Sequence, residues 1–164
     1  MEIRKIQIED AKNLLNLLKK LDAETTFLLY EKDERNSTIK QQRKNIQEQL
    51  EKGSLTFVLE DNKKLVGYVF GNIFTANRKK HCMNLAIAIL QEYTGKGYGT
   101  KLINTIEEYA INNGITRLEL EVAKTNKVAI SLYQKTGFEE EGIKRNAFLV
   151  NGKYEDELLM AKII

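Results

Sequence analysis

The chain of 164 residues carries 26 basic and 23 acidic side chains, a formal net charge of +3 and a single cysteine, Cys82. Its length predicts one domain, residues 1–164, and its balanced charge argues against nucleic acid as a partner. A single cysteine excludes an internal disulfide, and the short apolar runs predict neither a signal peptide nor a membrane-spanning helix, so we expect a cytoplasmic protein with no membrane partner.

The first part of the chain predicts a strand followed by two helices. Residues 2–8 alternate loosely enough for the strand, and Asp10 is expected to cap a helix with one buried face formed by Leu14, Leu17, Leu18 and Leu21. Residues 23–35 have no regular pattern. Thr38 and Gln41 then form a capping box for a polar second helix, which we expect to end near Gly53.

The rest of the chain alternates strands and helices. Apolar runs predict three successive strands in a meander, namely Leu55–Leu59, Leu65–Phe74 and Met83–Leu90. A helix that ends at Asn112-Asn113-Gly114 precedes a strand with alternating Leu118, Leu120 and Val122. Asn151-Gly152 predicts a hairpin turn between Phe148–Val150 and Lys153–Met160. This order favours an α/β (α+β) fold with a mixed central sheet flanked by helices.

A glycine-rich run, Tyr93–Thr100, connects the third meander strand to the following helix. The first turn of a helix leaves backbone N–H groups unpaired at the positive end of the helix dipole, which favours phosphate binding. Its glycines keep Cβ atoms away from a diphosphate, while Lys96 offers an ammonium and Thr100 a hydroxyl. The G-x-G-x-G spacing fits neither a Walker loop nor a dinucleotide fingerprint, and a plain tight turn is the alternative.

A second motif, Asn126–Phe138, predicts a short helix with Asn126 as its N-cap and Gly137 at its end. The order of a strand, the G-x-G-x-G turn, a helix, a strand and then N-x-x-A-x-x-L-Y-x-K-x-G-F resembles the GNAT superfamily of acetyl-CoA-dependent N-acetyltransferases. The resemblance extends over the whole chain. Two residues depart from the family pattern: Thr94 stands where Arg or Gln is usual, and Gln91 where proline is common.

The resemblance implies acetyl-CoA as cosubstrate and direct transfer of its acetyl group to a primary amine in a ternary complex. The implied cosubstrate-binding residues are Ile87, Ile89, Thr94, Gly95, Lys96, Gly97, Tyr98, Gly99, Thr100, Asn126 and Tyr133. In the family, a backbone N–H of the strand before the glycine-rich run polarises the thioester carbonyl, and the resemblance assigns this role here to Ile89. Tyr133 matches the family's general acid, and a phenol stays protonated at neutral pH. A buried structural tyrosine is the alternative.

The sequence does not identify the residue that acts as the general base. Glu121 is our candidate, on a strand beside the predicted site, although Glu119 and Glu121 share a face that is equally consistent with plain exposed sheet. Histidine is a common general base, but His81 has no partner nearby in the sequence, and Cys82 is expected to be a small buried hydrophobe. No cluster of Cys and His has the spacing of a metal site, so we expect no metal.

The acceptor is not determined by the motifs. In this fold the segment between the first two helices helps to form the acceptor pocket, and here residues 24–35 carry carboxylates that either attract an amine or only solubilise the loop. A small-molecule amine, an amino acid and a peptide or protein N-terminus all remain candidates, and a homodimer stays open. A catalytically inactive CoA-binding sensor and a nucleic-acid-binding module are the alternatives from other classes.

Overall fold

A computed structural model describes residues 1–164 as one seven-stranded sheet with four α-helices. The strands are β1 Glu2–Lys5, β2 Leu55–Asp61, β3 Lys64–Ile73, β4 Cys82–Ile89, β5 Arg117–Ala123, β6 Glu139–Val150 and β7 Lys153–Ile163. The helices are α1 Ala11–Glu24, α2 Ile39–Glu51, α3 Tyr98–Asn112 and α4 Lys127–Lys135. Short 3-10 turns at Ile8–Asp10 and Gln91–Tyr93 precede α1 and follow β4.

The sheet has the order β1-β2-β3-β4-β5-β7-β6, in which β4 and β5 are parallel and all other neighbours antiparallel. This confirms the predicted meander and the mixed sheet. The parallel ladder between β4 and β5 pairs only Cys82–Asn84 with Arg117–Glu119. Beyond those residues, the edge of β4 that faces β5 has no strand partner. β4 and β5 are therefore separated over the C-terminal half of β4.

Helices cover both faces of the meander. Phe57 of β2 packs edge-on against Tyr109 of α3, with ring centroids 6.2 Å apart. Its neighbour Thr56 donates to Gln49 of α2 at 3.4 Å. Because successive side chains of a strand point to opposite faces, α3 and α2 lie on opposite sides of the sheet. The predicted apolar faces of the helices are buried, including Leu14, Leu17 and Leu21 of α1 and Leu102, Ile103 and Ile106 of α3.

The first predicted strand was too long, and the predicted role of Asp10 was wrong. β1 ends at Lys5, and the Asp10 carboxylate accepts the backbone N–H of Gln7 at 2.8 Å and the guanidinium of Arg4 at 2.7 and 2.8 Å. It makes no capping hydrogen bond to α1. A long-range partner, Arg4, together with the tight turn, therefore outweighs the local capping preference of aspartate.

The other local signals are confirmed. Thr38 and Gln41 form the predicted reciprocal capping box of α2, with bonds of 2.9 and 3.2 Å. Asn151 and Gly152 have φ angles of 49° and 75°, as a two-residue hairpin turn requires. β6 is much longer than the predicted Phe148–Val150, because its polar first half pairs with β7 without an alternating apolar pattern. None of the helices has the length and apolarity needed to span a bilayer.

Candidate active site

The predicted phosphate-binding run lies between β4 and α3. The backbone N–H groups from Gly95 to Thr100 donate to no other group of the protein, and the first hydrogen bond of α3 is made by Lys101, to the Gly97 carbonyl at 3.2 Å. These consecutive free amides stand at the N-terminus of a helix of 15 residues, where the helix dipole adds positive potential. The run can therefore accept an anionic group through its backbone alone.

The three glycines of the run serve two different purposes. Gly95 and Gly97 have φ angles of +71° and +81°, and no atom lies within 4 Å of the position that a Cβ would take. They bend the chain through a conformation that disfavours other residues. At Gly99 a Cβ would lie 2.8 Å from Leu132 of α4. Gly99 therefore lets the two helices that carry the sequence motifs pack closely together.

Side chains of the run stabilise its shape. The Lys96 ammonium donates to the Glu92 carbonyl at 2.8 Å and lies 5.4 Å from the centre of the Tyr93 ring. Thr94 donates its hydroxyl to the Gln91 carbonyl at 2.8 Å. Of the two side chains predicted to offer polar groups to a diphosphate, Lys96 therefore has a partner within the loop, whereas the Thr100 hydroxyl makes no hydrogen bond within the protein. The backbone amides and the Thr100 hydroxyl are the groups left free.

The backbone of β4 offers a second set of free groups. Leu90 donates to the Val66 carbonyl at 2.9 Å, so Leu90 and Val66 form a hydrogen-bonded pair of the antiparallel ladder with β3. Such pairs alternate with pairs whose backbone groups point the other way. Ile87 and Ile89 therefore direct their N–H and C=O groups away from β3, into the gap where β5 has diverged.

Tyr133 lies on α4, which Asn126 caps as predicted by accepting the N–H of Ala129 at 3.1 Å. The residue is 6% exposed, and its ring packs 5.8 Å from that of Phe138. Burial, with a smaller contribution from Tyr68, raises the pKa of the Tyr133 phenol well above its usual value. Its hydroxyl has no partner within the protein and is not sealed from solvent. Tyr133 therefore combines a structural ring with an available proton donor.

The sequence did not predict a polar cluster around Arg35, which includes Asp22, Tyr30 and Tyr68. Arg35 binds both carboxylate oxygens of Asp22, at 2.6 and 3.0 Å, and lies 4.5 Å over the Tyr30 ring. Asp22 is 3% exposed. Burial raises the pKa of the Tyr68 phenol, and the positive charge of Arg35 offsets part of this rise. Tyr68 in turn contributes to the raised pKa of Tyr133. No local spacing signals this cluster, because its members come from α1, the following segment and β3.

The candidate base Glu121 is ion-paired and partly exposed. Its carboxylate accepts from Lys144 at 2.7 Å, and its side chain is 42% exposed. Glu157 of β7 lies on the same face, 3.6 Å from the Lys144 ammonium, and is 8% exposed. Burial, and secondarily the Glu121 charge, raise the pKa of Glu157. Sequence reasoning missed Glu157 because it stands among other acidic residues of the hairpin.

The other candidates lie elsewhere. Glu119 accepts from Arg117 at 2.8 Å and faces Lys79 at 3.6 Å, as an ordinary surface ion pair. His81 is exposed just before β4, at the end where β4 and β5 are still paired. Cys82 is buried, as predicted, and unpaired.

A cleft of about 630 Å³ lies between residues 22–32, which lead from α1 towards α2, and residues 147–151 at the tip of the β6–β7 hairpin. It contains no residue of the glycine-rich run. Glu24, one of its lining residues, accepts the backbone N–H of Gln91 at 2.9 Å. Since Gln91 begins the loop that follows β4, this hydrogen bond links the cleft to the glycine-rich run.

Known proteins are similar to the chain in both sequence and fold. The chain is 35% identical over 102 residues to a spermidine N(1)-acetyltransferase from Vibrio cholerae, a match that covers 61% of this chain and 58% of that enzyme. A GNAT-family acetyltransferase from Streptococcus pneumoniae superposes with a TM-score of 0.94 at 31% identity, over 99% of both chains. A Salmonella typhimurium acetyltransferase solved with its cofactor acetyl-CoA has a TM-score of 0.87 at 17% identity, over 99% of this chain and 93% of that one.

The family model described as the acetyltransferase (GNAT) family matches residues 15–138. This range runs from α1 through the glycine-rich run to Phe138, so it includes both sequence motifs and the free edge of β4. The chain belongs to the acetyltransferase (GNAT) family.

Proposed function

We propose that this protein is an N-acetyltransferase that transfers the acetyl group of acetyl-CoA directly to a primary amine in a ternary complex. The observation that carries the proposal is the run of unpartnered amides from Gly95 to Thr100, directly after a strand whose free edge includes Ile87 and Ile89. A diphosphate and an extended amide-bearing arm are the two parts of CoA that such surfaces would hold.

The cosubstrate fits these residues. Amides of residues 95–100 would hold the diphosphate, with Thr94 and the Lys96 ammonium beside them, and the exposed backbone edge of Ile87 and Ile89 would pair with the pantetheine arm. Asn126, at the start of α4, is the last residue that we propose to contact acetyl-CoA. When bound, acetyl-CoA supplies its acetyl group as an activated thioester. The free N–H of Ile89 on β4 would polarise the thioester carbonyl.

Tyr133 acts as the general acid in this proposal. Its raised pKa keeps the phenol protonated at physiological pH, and its hydroxyl is free to donate to the departing thiolate. We propose Glu121 as the base that receives the proton of the attacking ammonium, directly or through water. Its carboxylate accepts from the Lys144 ammonium at 2.7 Å.

We propose that residues 1–164 act as one domain and that the acceptor amine enters through the cleft between residues 22–32 and 147–151. A reduced, buried Cys82 supports a cytoplasmic location. The alternative of an inactive sensor is disfavoured by the free Tyr133 hydroxyl, which a binding role alone does not require.

Two measurements test this function. Acetyl-CoA should raise the melting temperature, because a ligand that binds only the native state stabilises it by RT ln(1 + [L]/Kd). A thiol-release assay over amino acids, polyamines, aromatic amines and N-terminal peptides should then reveal turnover with at least one of them. Stabilisation without turnover over the whole panel would favour the sensor, and an unchanged melting curve at millimolar acetyl-CoA would contradict both.

A further inference from the structure

We propose that the cleft between residues 22–32 and 147–151 selects a small primary amine with an apolar, aromatic body, and discriminates against polyamines. This inference rests on the proposed acetyltransferase function and names its acceptor class. It is drawn from the walls of the cleft, the pairing of its charges and its link to the loop after β4.

The walls of the cleft present large apolar side chains to solvent. Phe27 is 40% exposed, Leu29 74% and Tyr30 38% on one side, and Leu149 is 60% exposed on the other. Exposed apolar groups that face each other across a cleft gain free energy when an apolar ligand covers them. A volume of about 630 Å³ is within the usual range of small-molecule sites.

The charges of the cleft suit one ammonium group better than several. Asp22 uses both carboxylate oxygens for Arg35. Glu24 uses one oxygen for the Gln91 amide, and Glu31 is an exposed carboxylate without an ion-pair partner. Apart from Asp22, the charged lining residues are thus Glu24, Glu31 and Lys32, two negative charges and one positive, a net charge of −1. This net charge balances one ammonium group, whereas a polyamine brings several, each of which needs a counter-charge to offset its lost hydration.

The link to the loop after β4 orients such a ligand. Glu24 is the acidic residue of the cleft that also contacts this loop, and its second oxygen can accept from an ammonium. Tyr30 and Leu149 belong to the walls of the same cleft. An arylalkylamine thus places its ammonium at the Glu24 end and its ring between the apolar walls.

Thiol release with 2-phenylethylamine and with spermidine tests the selection. We expect kcat/KM for 2-phenylethylamine to exceed that for spermidine by at least tenfold. Leu149→Asp should raise KM for 2-phenylethylamine about tenfold or more, because it replaces apolar wall area by a charge. It should leave KM for acetyl-CoA unchanged. Leu50→Asp is the matched control, since Leu50 is an exposed leucine of α2, outside the cleft, and should have no effect on either.

Several outcomes would overturn the inference while the acetyltransferase function stands. These are faster turnover of spermidine, an unchanged amine KM in Leu149→Asp, a tenfold preference for a peptide over 2-phenylethylamine, or a dimer in light scattering that Leu149→Asp dissociates. If no amine turns over, thermal stabilisation by 2-phenylethylamine in the presence of CoA decides the selection. Stabilisation that Leu149→Asp removes would support it, and no stabilisation would overturn it.

Discussion

The glycine-rich run and the cleft between residues 22–32 and 147–151 differ in the part of the chain that forms them. In the run, backbone amides from Gly95 to Thr100 are free, while the Lys96 ammonium already donates to the Glu92 carbonyl within the loop. In the cleft, side chains form the walls, and the Arg35–Asp22 pair connects the segment after α1 to that helix. A site made of backbone groups keeps its binding groups when side chains change, which suits a cosubstrate that is the same across related enzymes. A site made of side chains changes with each substitution, which suits an acceptor that differs between them.

The largest expected effect is at Tyr133 of α4, which belongs to neither region. Tyr133→Phe removes one hydroxyl and keeps the buried ring, so kcat should fall roughly 10²- to 10⁴-fold, which is about 3 to 5 kcal/mol of barrier. KM for acetyl-CoA should change little, because the lost interaction is made mainly in the transition state. Steady-state kinetics under conditions where chemistry limits the rate will measure this. A kcat within about threefold of wild type would remove Tyr133 from the mechanism.

Breaking the ion pair behind the cleft should be the next largest effect. Arg35→Leu leaves the Asp22 carboxylate, whose side chain is 1% exposed, without its partner. Removing one partner of a buried pair costs about 3 kcal/mol, a lower-end value because Arg35 itself retains some contact with solvent. Chemical denaturation should show this loss.

The double variant Arg35→Leu/Asp22→Leu supplies the control, because it removes both charges and should recover most of the stability. Acetyl-CoA binding to either variant should be unchanged if the two regions are independent. Weakened acetyl-CoA binding in the double variant would show that the cleft and the glycine-rich run are coupled.

In the glycine-rich run, the backbone and side-chain contributions can be separated by two substitutions. Gly97→Val places a β-branched residue at a φ of +81° and should abolish the stabilisation by acetyl-CoA, about 2.7 kcal/mol at 100 times Kd. Lys96→Ala should reduce this stabilisation much less, because its ammonium is already bonded to Glu92. Melting curves with and without acetyl-CoA measure both. Equal losses in the two variants would mean that the ammonium, rather than the backbone, binds the ligand.

The smallest expected effect concerns Glu157. Its folded-state pKa is raised, so the folded protein holds this proton more tightly than the unfolded chain does. Its contribution to stability is therefore greatest below the unfolded pKa and declines as pH rises through the folded pKa. Glu157→Gln should remove this decline and stabilise the protein near neutral pH by about 1 kcal/mol or less. Denaturation at acidic and neutral pH will measure it, and equal effects at both would contradict the assignment.

Much of the fold could be predicted because its signals are local. The leucine spacing of α1, the Thr38–Gln41 box and the Asn151-Gly152 turn are each confirmed, since each depends on residues within a few positions. Asp10 shows where this reasoning fails, because its partner Arg4 is brought close by β1 and the turn after it. The first half of β6 was not predicted for the same reason, because its strand conformation depends on pairing with β7 rather than on its own residue pattern.

The sequence by itself determined the family and the two motifs, because glycine spacing and helix caps act on the adjacent backbone and depend only on residues close together in the sequence. Only the tertiary structure decided which groups are free to act. The divergence of β5 from β4 exposes the edge of Ile87 and Ile89, and burial separates Glu157 from the other acidic residues of the hairpin. The cleft, too, depends on bringing residues near 27 and 149 together, and such long-range proximity arises from packing and leaves no local sequence pattern.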